Sequence, residues 1–167
     1  RNRYNNYNDF KLENILKLGG GFYPTCSSMF LNKIFDVNNL EKYLKIHSTG
    51  DYPIAILAAI KGKIGYIDEV TSVYRVHNNS VSNKLFKTCE ECVKDVKIKY
   101  KKNIKFLKFL FNEIKINKKL ERELLSKENY ILLSKHINCG HFSGFYNLFF
   151  VLNLSLKHRI RIIVKLI

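Results

Sequence analysis

An α/β fold followed by a mostly helical extension is predicted from three features of the 167-residue chain. Short runs of β-branched and aromatic residues alternate with helical segments up to Lys84. Beyond Ser82 the texture changes to apolar residues at helical spacing with Lys between them. The charge divides at the same place, with 11 Lys and Arg against 7 Asp and Glu through Lys84, and 18 against 7 from Leu85 onward. The organisation expected is therefore a first segment, 1–84, and a basic helical extension, 85–167.

The elements follow in order. "NDFKLENILKLGGG" reads as a short helix that Asn8 or Asp9 could cap and that the Gly19 to Gly21 triplet ends. A phosphate-cradling loop follows a strand and opens a helix. Here the order is reversed, so the triplet is read as a turn. "FYPTCSSMFLNKIF" mixes β-branched, aromatic and small residues and reads as a strand carrying Thr25, Ser27 and Ser28. "NNLEKYLKIHS" is a short amphipathic helix. "YPIAILAAIKG" places Pro53 in a first helical turn, where its missing N–H costs little, and stops at Gly62. Its apolar character nearly all round predicts burial. "KIGYID" and "VTSVYRV" read as two short strands joined by Asp68 and Glu69.

In the extension, Val93, Val96, Tyr100, Ile104, Leu107, Phe111 and Ile114 recur at helical spacing, and a second helix is expected from Lys118 to Ile137. Their Lys-rich faces are most simply solvated. The final segment carries no charge from Phe142 to Leu156, then Lys157, Arg159, Arg161 and Lys165 amid Ile, Val and Leu. It suits either a helix lying in a membrane interface, basic residues on anionic head groups, or a helix packed on the preceding two.

Composition bounds the function. With 46% hydrophobic and 13% aromatic residues and only two Pro, disordered and collagen-like classes are excluded. A net charge of +15 implies a polyanionic neighbour: nucleic acid, an anionic membrane or a phosphorylated substrate. Nucleic acid is not expected, because the Phe and Tyr side chains fall on the apolar helical stripes and not among the lysines. Four cysteines form no dense disulfide framework and suit a reducing compartment. "CEEC", Cys89 to Cys92, lacks a second CxxC or an HxxxH and reads as two helix positions three apart. The polar start, without signal peptide or initiator Met, is expected to belong to a longer chain.

The residues with the clearest chemistry lie between Gly50 and Lys84. Asp51 at a helix start is an N-cap in the plainer reading. In the sharper one it is a carboxylate held ionised by the helix dipole, suited to take a proton from a hydroxyl. Arg75 and His77, two apart on an expected strand, would project from the same side. An Arg fork for phosphate oxygens beside an imidazole for a divalent metal makes a diphosphate corner. Ser80, Ser82 and Lys84 follow in a polar loop able to close over phosphate.

"CSSMFLNKIF" and "GDYPIAILAAIKGKIGYIDEVTSVYRVHNNSVS" resemble the C-terminal half of the catalytic domain of family 2 glycosyltransferases, which have the Rossmann-like GT-A fold. The resemblance covers Phe22 to Lys84. It implies inverting transfer of a sugar from a nucleotide-diphosphate donor to a saccharide or lipid-linked acceptor, with Mg²⁺ or Mn²⁺, in bacterial surface polysaccharide synthesis. It assigns Asp51 as the base, Arg75, Ser80, Ser82 and Lys84 to the donor diphosphate, His77 to the metal, and Ser27, Ser28 and Tyr52 to the acceptor side. The family's Asp-x-Asp motif is absent from the 167 residues, so this segment alone is expected not to turn over a nucleotide sugar. The alternative is a non-catalytic interaction module that docks on an anionic membrane or partner through 142–167. Either places the chain in the cytoplasm, peripheral at the inner face of the membrane.

Overall fold

The computed structural model of the chain describes residues 10–19, 25–47, 49–67, 69–70, 72–73, 88–140 and 153–166. The chain divides into two compact units, Arg1–Asn83 and Lys84–Ile167.

The first unit is built on α1 (Leu12–Leu18), α2 (Val37–Ile46) and α3 (Asp51–Lys61). α3 is the core element, burying Tyr52, Pro53, Ala55, Ile56, Leu57 and Ala58. Pro53 is tolerated there because the first four N–H groups of a helix have no intrahelical acceptor. α1 contributes Ile15 and Leu16, and α2 contributes Tyr43. Each fully buried aliphatic side chain of this set is worth about 1.5–3 kcal/mol. Gly19 ends α1 with φ 80°, a left-handed conformation, while its N–H reaches the Ile15 carbonyl at 3.0 Å. The expected caps Asn8 and Asp9 lie outside the described residues.

The α/β expectation is overturned. Every regular element among the described residues is helical. Within the expected strand 22–35 the chain forms two 3-10 turns, Thr25–Ser27 and Asn32–Ile34. Lys63–Ile67 and the described part of 70–76 enter no ladder. β-propensity expresses how well a side chain fits a pleated, half-buried surface, and it produces a strand only when a neighbour completes the hydrogen bonds. Val70 and Val73, at 95% and 90% exposed, lie in no such layer. The Rossmann-like half-domain implied by the glycosyltransferase resemblance is therefore not what these residues form, and that resemblance is set aside.

The second unit follows the helical periodicity closely. α4 (Cys89–Glu113) and α5 (Lys118–Asn138) are joined by a four-residue connection, 114–117. Thr88 and Glu91 have capping-box spacing, and Thr88 Oγ1 accepts the Glu91 N–H at 3.2 Å. Asn117 Oδ1 accepts the Leu120 N–H at 2.8 Å and starts α5. Tyr100 donates to Asn129 and Asn103 donates to Glu128, so position rises along α4 as it falls along α5. The pair is antiparallel. Phe106, Leu107 and Leu110 of α4 and Leu120, Leu124, Leu132 and Leu133 of α5 are buried. α6 (Leu156–Leu166) packs against α5.

Candidate functional site

Of the expected catalytic corner, the Asp51 end falls among the described residues. Gly50 occupies the cap position of α3 and Asp51 its first residue. Asp51 Oδ1 accepts the N–H of Tyr52 at 3.0 Å. The Tyr52 hydroxyl donates to the Leu16 carbonyl at 3.1 Å and ties α3 to α1, a structural position and not an open acceptor-side one. Beside them is a histidine that the sequence reading left inside a helix. The His47 ring lies 5.3 Å from that of Tyr52, centroid to centroid. Its Nδ1 sits 2.9 Å from the Thr49 carbonyl and 3.1 Å from the Thr49 N–H, so it donates to the first when protonated and accepts from the second when not. Burial holds the His47 pKa below its ordinary value, against the Thr49 hydrogen bond and the Asp51 carboxylate.

Of the other assigned residues, only Ser27 and Ser28 are among the described ones. Ser27 and Ser28 fall at a separate 3-10 turn, where the Ser28 hydroxyl donates to the Thr25 carbonyl at 2.8 Å. Arg75, His77, Ser80, Ser82 and Lys84 lie outside the described residues. No group of three His, Cys, Asp or Glu able to hold a metal occurs among the described residues.

The second unit carries a better-defined surface. Lys94, Lys97, Lys101, Lys105 and Lys108 are all exposed and recur every three or four residues, so they form one stripe along α4. α6 is fastened to α5 by one edge, where Leu154, His158 and Ile162 are buried. Leu154 and Ile162 pack on Leu133 with Tyr130 and Ile137. Ser126 is the polar hub of this joint. Its Oγ accepts the Ser155 N–H at 2.7 Å and lies 2.7 Å from His158 Nδ1. The hydroxyl can donate to Nδ1 or accept from it, according to the tautomer of His158. The His158 ring stacks on Tyr130 at 4.9 Å. Asn129 accepts from Tyr100 at 2.8 Å and donates to the Asn153 carbonyl at 2.9 Å. Burial lowers the His158 pKa, helped by the charges of Arg161 and Lys157. Although Ser126 and His158 have the spacing of a catalytic pair, Ser126 is buried and committed to holding α6.

With that edge fixed, the opposite face of α6 points outward. Leu156, Ile160, Ile163 and Val164 occupy it, exposed to 74%, 53%, 49% and 67%. At 100° per residue, Lys157 and Arg161 border this apolar stripe on one side and Arg159 on the other. α6 contains no acidic residue. Sequence periodicity alone showed an amphipathic segment but could not say that its buried edge is the narrow one.

No protein-family model, no curated protein and no solved structure matches the chain. The family 2 glycosyltransferase resemblance thus finds no support in these comparisons either.

Proposed function

We propose that the chain is an interaction module that docks peripherally on an anionic membrane surface through its basic helical unit, with α6 lying in the interface. The observation that carries this reading is the outward stripe of Leu156, Ile160, Ile163 and Val164 bordered by Lys157, Arg159 and Arg161. Such a helix sinks its apolar side to the level of the acyl boundary and leaves its basic side chains at the head groups. Each Lys or Arg near an anionic surface contributes about 1 kcal/mol, within a Debye length of the lipid charge. The 11 residues of α6 are too few to cross a bilayer, and no helix among the described residues is long and apolar enough to do so. The cytoplasmic leaflet, rich in anionic lipid, is the surface with the matching sign. Glycosyl transfer relied on an α/β half-domain that the described residues do not form, and it contributes nothing to this reading.

Vesicle flotation tests the proposal. The chain is expected to float with vesicles containing phosphatidylserine and to stay at the bottom with phosphatidylcholine alone. Ile160→Glu with Ile163→Glu should lower the bound fraction at least tenfold while helicity is kept. Equal binding to neutral vesicles, or no effect of the double substitution, would refute it.

A further inference from the structure

Three of the four cysteines converge at one end of the α4–α5 pair. Cys89 is the first residue of α4, Cys92 lies one turn further, and Cys139 caps the C-terminus of α5. Their meeting follows from the register. Tyr100 faces Asn129; ten residues along α5 from Asn129 is Cys139, and ten residues back along α4 from Tyr100 is Glu90, between the two CEEC thiols. The Cys89 and Cys92 thiols are near enough to Cys139 to act on its titration. Gly140, at φ 69°, ends the helix immediately after Cys139. All three are free thiols, Cys89 exposed and Cys92 and Cys139 half-buried.

We propose that Cys89, Cys92 and Cys139 form a dithiol–disulfide redox site that reacts with low-molecular-weight disulfides and staples the end of α5 to the first turn of α4. Cys89, the exposed member, attacks a sulfur of glutathione disulfide, forms a mixed disulfide and releases one glutathione. Cys139 then attacks the Cys89 sulfur, forms the Cys89–Cys139 disulfide and releases the second glutathione. Two electrons pass from the two protein thiols to the glutathione disulfide, and their two protons leave with the released thiols. Cys92, in reach of the same sulfur, can exchange into the bond, moving the staple by one turn without losing it. Burial and the hydrogen bonds with Cys89 and Cys92 push the Cys139 thiol up to about 11. That keeps it protonated, and so inert to outside reagents, until a mixed disulfide is formed beside it.

The test is equilibration of the full chain in glutathione redox buffers, acid quenching, alkylation and peptide mapping. The expected product is one intramolecular disulfide joining Cys139 to Cys89 or Cys92, with the remaining CEEC thiol and Cys26 alkylated. Oxidation should raise the melting temperature of the second unit by on the order of 10 °C, since the bond closes a loop of about 50 residues. Cys139→Ser should remove both the crosslink and the rise and leave a glutathionylated CEEC, whereas Cys26→Ser should change neither. A Cys89–Cys92 bond with Cys139 still alkylatable, or crosslinks found only between chains, would overturn the proposal. Because the mapping is made on the wild-type chain, it decides the matter even if Cys139→Ser folds poorly.

Discussion

Tyr52 shows what a single side chain does in this chain and how little of it can be read locally. It follows Asp51 at the start of α3, yet its hydroxyl serves the Leu16 carbonyl on another helix. Tyr52→Phe should keep the ring in the core and strand that carbonyl, destabilising the first unit by about 1–2 kcal/mol in urea unfolding. Asp51→Asn should cost less than that, since Asn keeps an oxygen for the Tyr52 N–H at a half-buried helix end. Ser126 is the more vulnerable polar residue. Ser126→Ala would leave the Ser155 N–H and His158 Nδ1 without their shared partner. A loss of about 2–3 kcal/mol, read as a lowered melting temperature, is expected. Asp51 was legible at its helix start because a Gly-Asp before an apolar run is a local signal. His47 was not, since its significance comes from the turn that brings its ring against Tyr52.

At the scale of the element, α4 and α5 were legible and the expected strands were not, for one reason. Helices complete their hydrogen bonds within the segment, so apolar spacing locates them, and the structure adds the caps Thr88 and Asn117. A strand depends on a neighbour to complete its ladder, and among the described residues Lys63–Ile67 and the described part of 70–76 enter none. The docking of α6 is the element-level feature with a pH signature. The His158 pKa is lowered by burial first, then by Arg161, Lys157 and Lys127, with Glu123 opposing. The folded unit therefore binds fewer protons than the unfolded chain. The stability from neutral His158 is fully present above the ordinary histidine pKa of about 6.5 and is lost as pH falls from there through the lowered value. Thermal unfolding at a series of pH values from 7.5 to 5 should show this loss, and His158→Asn should flatten the profile. His47 titrates in the same direction in the first unit, so the difference between wild type and variant is the measurement that isolates α6.

At the scale of the whole molecule, charge and fold divide at the same place. The chain carries a net +15, and most of the excess falls beyond Leu85 in the helical unit. Docking through this unit should weaken as salt rises, because the Lys and Arg contribution is screened within about 10 Å at 0.1 M ionic strength. Vesicle binding at 50 and 300 mM salt should fall severalfold, with a smaller fall after Lys157→Gln and Arg161→Gln. The sequence by itself determined the basic bias of the second half, the two long helices and the burial of α3, since each follows from composition or from spacing within one segment. Tertiary structure alone decided that the described parts of the β-rich runs enter no ladder, that α6 turns its apolar stripe outward, and that Cys139 ends α5 beside the first turn of α4. All three depend on which residues are brought together across tens of positions of chain, and helix register and packing set those meetings where local propensity cannot.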